Sequence, residues 1–139
     1  MQPQYWSIDL LPGLKRPEQE LLKANGITST RELLKRANTL QSKQALANSL
    51  KLNRRYIDKW VALADLARIP SVGYQYSGLL LHTGIISVSQ LAQTPSHRLY
   101  RQIVRLQVAT TLQKELSPPV EQVKKWVDEA KLLQNASRF

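Results

Sequence analysis

The feature that most constrains this chain is an internal repeat. Shifting the sequence by 58 residues brings two long stretches into register: residues 11–14 over 69–72, 21–22 over 79–80, 26–27 over 84–85 and 29–33 over 87–91. A shift of 66 then places residues 56–61 over 122–127, so the later copy carries eight more residues, most simply between Ala92 and Pro119. Two copies of one supersecondary unit are therefore expected.

Each copy opens on turn residues and continues into a helix. The first turn (residues 11–15) contains Leu-Pro-Gly, and the second turn (residues 69–73) contains Ile-Pro-Ser; both are typical of a change in chain direction. The helices predicted after them cover about residues 17–25 and 74–83. Pro17 suits a first helical turn, where its missing N–H loses no hydrogen bond. Apolar residues recur at three and four positions rather than at two, which excludes strands.

Signals for helix ends occur at equivalent places in both copies. Gly26 and Gly84 stand where a left-handed glycine closes a helix. A serine followed three residues later by Glu or Gln predicts a capping box, in which the serine hydroxyl and the later side chain satisfy free amides reciprocally. The two predicted boxes are Ser29 with Glu32 and Ser87 with Gln90.

Further helices are predicted at about residues 42–50, 53–66 and 95–108, and a last one ends near residue 133. Trp60 and Trp126 lie on apolar helical stripes and are expected in the core. The fold class is therefore all-α, with about eight short helices packed in one compact unit. The predicted organisation is an N-terminal tail (1–7), a first unit (8–66), a second unit (67–134) and a C-terminal tail (135–139).

Composition excludes several classes of function. The chain has no cysteine, and its two histidines are not at ligand spacing, so neither a metal site nor any other cofactor is expected. No phosphate loop, activated nucleophile or small-molecule site is apparent, which argues against an enzyme. No apolar run is long enough for a transmembrane segment, and a cytoplasmic or organelle-stroma location is expected. The net charge of +10 favours polyanionic partners.

Residues 11–33 resemble helix-hairpin-helix modules. Nearly the whole chain, from about residue 8 to 133, resembles the family catalogued as domain of unknown function 4332, through residues 26–33, 57–66, 69–73 and 120–127. That family has no established activity, and its members are frequent in cyanobacteria. Helix-hairpin-helix proteins generally bind duplex DNA without sequence preference, so the resemblance implies tandem helix-hairpin-helix repeats whose turn amides contact phosphates.

Both turns depart from the glycine pair of that phosphate-binding motif. The first keeps Gly13 and loses the second glycine, with Lys15 and Arg16 as compensating cations. The second has Ser71 in place of the first glycine, keeps Gly73, and has Tyr74 beside it to stack on a sugar or base. The alternative is that both turns only pack helices together.

Two further surfaces are candidates for an anionic partner. Arg54, Arg55 and Lys59 belong to a phrase similar to a helix-turn-helix, in which Lys51 stands where glycine is common; the alternative is a solvated basic face. Arg98, Arg101 and Arg105 share one helix face, and no acidic residue occurs between Asp65 and Glu115.

Two functions follow from these residues. The first is non-catalytic, non-sequence-specific binding of nucleic acid, either duplex DNA or structured RNA, with a steep salt dependence. The second is a protein–protein adaptor or assembly factor that docks a basic helix face on an acidic protein surface. The resemblance to a family frequent in cyanobacteria implies a large photosynthetic or ribosomal complex as the partner.

Overall fold

The local signals of the sequence place most helix ends within two or three residues. The computed structural model describes residues 1–111 and 117–136, and these form an all-helical, compact unit of eight α-helices after a short 3-10 helix (Ile8–Leu10). The α-helices are α1 (Arg16–Ala24), α2 (Thr30–Arg36), α3 (Leu40–Leu50), α4 (Arg54–Leu66), α5 (Gly73–His82), α6 (Val88–Ala92), α7 (Ser96–Thr111) and α8 (Val120–Ala136). The start of α6 follows that of α2 by 58 residues, and the start of α8 follows that of α4 by 66.

The first helix of each unit ends on a left-handed glycine. Gly26 has φ +80° and Gly84 has φ +92°. The next residue then folds back, so that the N–H of Ile27 donates to the carbonyl of Leu22 at 2.9 Å, and Ile85 makes the equivalent bond at 3.1 Å. This is the bond pattern of a Schellman motif, which satisfies carbonyls that the helix leaves free.

Serine caps begin α2 and α6. The hydroxyl of Ser29 accepts from the N–H of Glu32 at 3.2 Å, and that of Ser87 accepts from the N–H of Gln90 at 3.0 Å. The second hydrogen bond of each predicted capping box differs from the prediction, because the later side chain accepts from groups other than the N–H of the capping serine. The Glu32 carboxylate accepts from the hydroxyls of Thr28 and Ser29, and the Gln90 side chain accepts from the N–H of Ile86 at 2.8 Å.

The helix α3 begins two residues before its predicted start and ends in a strained conformation. Thr39 caps it by accepting from the N–H of Ser42 at 3.0 Å, and the N–H of Thr39 donates to the Ser42 hydroxyl at 2.9 Å. At the other end, Lys51 has φ +57°. Glycine is the usual residue in the left-handed conformation, which is why glycine is common at the position that Lys51 occupies in the helix-turn-helix phrase.

The buried side chains form two clusters, one in each unit. The first cluster takes its members from residues 8–64 and includes Trp60; the second takes them from residues 66–133 and includes Trp126. Both tryptophans are fully buried, as predicted. Each set of four helices therefore has its own core, and Leu81 of α5 packs against the first.

Residues before the first unit are packed rather than free. The N–H of Trp6 donates to the Thr30 hydroxyl and its carbonyl accepts from the N–H of Thr30, at 3.0 and 2.8 Å. The Trp6 indole N–H donates to the carbonyl of Ala67 at 2.8 Å. In addition, the Asp65 carboxylate accepts from the N–H of Val88 at 2.8 Å. These bonds join the two units directly.

The longer second unit is explained in part by α7. This helix has 16 residues, whereas its counterpart α3 has 11. The rest of the predicted insertion includes residues 112–116, which lie outside the described residues, as do residues 137–139 of the predicted C-terminal tail. None of the helices in the described ranges is long and apolar enough to cross a membrane.

Candidate anion-binding site

The first turn presents a free backbone amide. Gly13 has φ +80° and is exposed, and its N–H makes no hydrogen bond within the part of the chain that the structure describes. A Cβ at this position would lie 3.4 Å from both Cε and Nζ of Lys59 and 3.8 Å from Leu63. These are ordinary contact distances, so glycine is required here by the positive φ and not by the space beside the turn.

Positive charge surrounds this amide from two elements. Lys59 projects from α4 and is exposed, and it forms no ion pair among the described residues. Lys15 and Arg16, at the start of α1, are exposed as well. The N–H of Lys15 itself is occupied, since it donates to the Glu18 carboxylate at 2.8 Å. A free N–H beside an ammonium is a donor set suited to an oxyanion.

The equivalent amide of the second turn is occupied from within the molecule. The N–H of Ser71 donates to Oε1 of Glu129 at 3.0 Å, and the Ser71 hydroxyl donates to the same oxygen at 2.9 Å. The Ser71 carbonyl accepts from the Trp126 indole at 3.1 Å. Glu129 is only 7% exposed, so a carboxylate fills the space in front of this turn.

The other predicted residues of the second turn also face inward. Gly73 is buried, has φ +55° and donates its N–H to the carbonyl of Ile69 at 2.9 Å. The Tyr74 ring packs edge-on against Trp6, with centroids 5.0 Å apart. The structure therefore does not bring Ser71, Gly73 and Tyr74 together as a surface that faces solvent.

The repeat shows which side chains distinguish the two turns. At an offset of 58, Ser71 lies over Gly13; at an offset of 66, Glu129 lies over Leu63 and Lys125 lies over Lys59. Leu63 is buried and has no acceptor. Nζ of Lys125 lies 4.0 Å from Oε2 of Glu129. The first turn is open beside a lysine that has no ion pair among the described residues, and the second is closed by a carboxylate paired with the equivalent lysine.

Sequence reasoning missed Glu129 and Leu63, although the sequence held one signal for Glu129. Glu129 lies among the apolar positions of α8, where Val123, Trp126, Ala130 and Leu133 are all buried. A charged residue on a buried stripe needs a partner, because burying it unpaired is unfavourable. That partner was not identifiable from the sequence, because Ser71 is 58 positions away and meets Glu129 only where α8 packs against the second turn.

The start of α4 extends the positive surface of the first turn. Arg55 precedes Lys59 by four residues, which places both on one face of the helix, and its guanidinium lies 5.3 Å from the Tyr56 ring centroid. Arg54 is turned to another partner, Asp58, at 3.5 Å. In α8 the residue equivalent to Arg55 is Glu121, so the corresponding face of the second unit is much less positive.

A separate basic surface lies on α7. Arg98, Arg101 and Arg105 are all exposed and form no ion pair with any described residue. Two of these arginines border an open groove with a cavity volume of about 610 Å³, whose other walls include Tyr100, Val104 and Val108. The surface is therefore mixed, apolar along its middle and cationic along its edge.

Carboxylates elsewhere have local structural roles. A hydrogen bond from the Thr28 hydroxyl, 2.7 Å long, holds the pKa of Glu32 below its ordinary value of 4.5.

In the described ranges, His, Asp and Glu side chains do not gather in groups of three or more that would hold a metal ion.

A family model described as domain of unknown function (DUF4332) matches residues 12–133. The matched range includes the Gly13 amide, Lys59 and Glu129. No curated protein and no solved structure matches the chain.

Proposed function

We propose that this protein, which belongs to the DUF4332 family, has a binding role and no catalytic one. Its ligand is the phosphate backbone of nucleic acid, either duplex DNA or structured RNA. The observation that supports the proposal is the open first turn, where the Gly13 N–H has no partner among the described residues and Nζ of Lys59 lies 3.4 Å from the position that a Cβ of Gly13 would take. Amide and ammonium donors together suit a phosphate oxygen.

The proposed surface runs from the first turn along α4. It comprises Gly13, Lys15, Arg16, Arg55 and Lys59, all of which are exposed. These groups recognise phosphates and do not read base edges, so we expect little sequence preference. Ser71, Gly73 and Tyr74 are left out, because their polar groups and the Tyr74 ring are engaged within the molecule.

The repeat supplies a matched pair of variants for testing this site. Lys59→Gln and Lys125→Gln remove the same charge from equivalent positions, one beside the open turn and one beside the closed turn. We expect Lys59→Gln to weaken binding of a labelled 20-base-pair duplex and to reduce the salt slope by about 0.9, the value for one lost phosphate contact. Lys125→Gln should leave both quantities nearly unchanged. Fluorescence anisotropy between 50 and 200 mM salt measures them, with a folded RNA as a second probe.

Two results would end the nucleic-acid proposal. One is affinity for duplex and RNA that is micromolar or weaker at low salt and insensitive to salt. The other is an equal loss of affinity in Lys59→Gln and Lys125→Gln, which would reflect net charge and not a site at the first turn.

The groove on α7 favours a second candidate function, docking of an acidic protein as an adaptor or assembly factor. An apolar strip between Tyr100 and Val108, bordered by arginines, suits a protein surface better than a phosphate backbone. A pull-down with the intact chain, compared with one in which Arg98, Arg101 and Arg105 are replaced by Glu, separates the two functions. A stoichiometric protein that is lost with the triple variant supports docking, whereas nucleic acid in the eluate that persists in the variant supports the first turn.

A further inference from the structure

We propose that the second turn is a closed anion-binding site, in which the carboxylate of Glu129 takes the place of an external phosphate. The inference deepens the proposed function, since it specifies that only one of the two turns is available to a nucleic-acid backbone. It makes Glu129 the residue that determines how many phosphate contacts the protein forms.

The contacts around Glu129 are those of a bound oxyanion. Its carboxylate receives an N–H and an O–H from Ser71 at 3.0 and 2.9 Å, and Nζ of Lys125 lies 4.0 Å away. Backbone amide, hydroxyl and ammonium groups are also the donors that proteins use for phosphate. These donors compensate for the loss of water around the Glu129 carboxylate, which is only 7% exposed.

Comparison of the two units isolates the residue responsible. The residue over Glu129 in the first unit is Leu63, which has no oxygen to offer. The amide over Ser71 is that of Gly13, which is exposed and without a partner within the described residues. A carboxylate in one unit and an isobutyl group in the other thus leave one turn closed and the other open.

The decisive comparison is between Glu129→Ala and Glu129→Gln. Both remove the same negative charge. The glutamine keeps a carbonyl oxygen that accepts from Ser71, so the turn stays closed, whereas alanine leaves the Ser71 N–H and hydroxyl without that acceptor. Lys125 loses its carboxylate partner in both variants. Any difference between the two variants therefore reports closure of the turn and not net charge.

Inorganic phosphate, followed by the backbone amide resonances in NMR, tests the site without any nucleic acid. In Glu129→Ala we expect the Ser71 amide to shift in a saturable way with phosphate and to exchange with solvent faster than in Glu129→Gln. In the native chain and in Glu129→Gln, the Ser71 amide should not respond. A Ser71 amide that is equally silent, or equally responsive, in both variants overturns the inference, whatever the protein does with DNA.

Binding of a duplex then connects the closed site to the proposed function. We expect Glu129→Ala to bind about tenfold more tightly than Glu129→Gln at 50 mM salt, the effect of one added charge-assisted contact, with a salt slope steeper by about 0.9. A phosphate-responsive Ser71 without any duplex binding would refute the nucleic-acid proposal and leave the closed site standing. If alanine at position 129 unfolds the second core, Glu129→Leu, which installs the residue of the first unit, carries the same test.

Discussion

Replacing Trp6 with alanine should destabilise the whole protein, because this residue joins the two units. Its indole N–H donates to the Ala67 carbonyl at 2.8 Å, and its ring packs against Tyr74 with centroids 5.0 Å apart. A fully buried Trp→Ala change costs about 3–5 kcal/mol. Trp6 is half-buried, so about 2 kcal/mol of packing is lost together with about 1 kcal/mol for the hydrogen bond.

The expected loss for Trp6→Ala is therefore about 3 kcal/mol in the free energy of unfolding, or roughly 10 °C in Tm for a chain of this length. Urea denaturation followed by circular dichroism at 222 nm measures it. Trp6→Phe keeps a six-membered ring against Tyr74 but loses the N–H and part of the ring surface, so about 1–2 kcal/mol is expected.

Tyr5→Ala is the matched control for the Trp6 change. Tyr5 is 40% exposed, and its ring contact is with the Arg31 guanidinium at 5.6 Å, a surface contact worth about 0.5–1 kcal/mol. A loss in Trp6→Ala no larger than that in Tyr5→Ala would refute the view that residues before Ile8 hold the units together.

Two other predictions concern stability. The Thr28 hydroxyl lowers the pKa of Glu32 below 4.5, so the stabilisation from this carboxylate is complete above pH 4.5 and is lost as the pH falls through the folded-state pKa. The urea midpoint of Thr28→Ala should therefore fall less than that of the native chain between pH 6 and pH 3. Equal falls in the two chains would contradict this prediction. Lys51→Gly should raise the free energy of unfolding by up to about 1 kcal/mol, because φ is +57° at that position. Its counterpart Gly26→Ala, at φ +80°, should lower the free energy of unfolding by about 1 kcal/mol. A thermal melt in which Lys51→Gly is less stable than the native chain would show that the Lys51 side chain contributes more to stability than the backbone strain costs.

The helices and the family were predictable from the sequence because their signals are local or repeated. Serine caps at Ser29 and Ser87 and glycine ends at Gly26 and Gly84 involve residues within five positions of one another. The start of α3 was placed two residues late, since the Thr39 and Ser42 pair lacks the Glu or Gln of the usual capping box.

The candidate site was only half predictable. Gly13, Lys15 and Arg16 are neighbours in sequence, and their charge and conformation point to an anion directly. The position of Lys59 beside Gly13 depends on how α4 packs against the first turn, a contact between residues 46 positions apart. Similarly, no local signal indicated that Tyr74 would pack on Trp6, because that contact joins the N-terminal residues to the second unit.

The sequence by itself determined the all-helical class, most helix ends and the buried tryptophans, since periodicity and capping act over a single turn of helix. Only the tertiary structure decided which turn can receive an anion. Glu129 and Ser71 are 58 residues apart, and a hydrogen bond between them exists only when α8 is packed against the second turn. The same packing in the first unit brings Leu63 and Lys59 to Gly13, whose amide has no partner among the described residues.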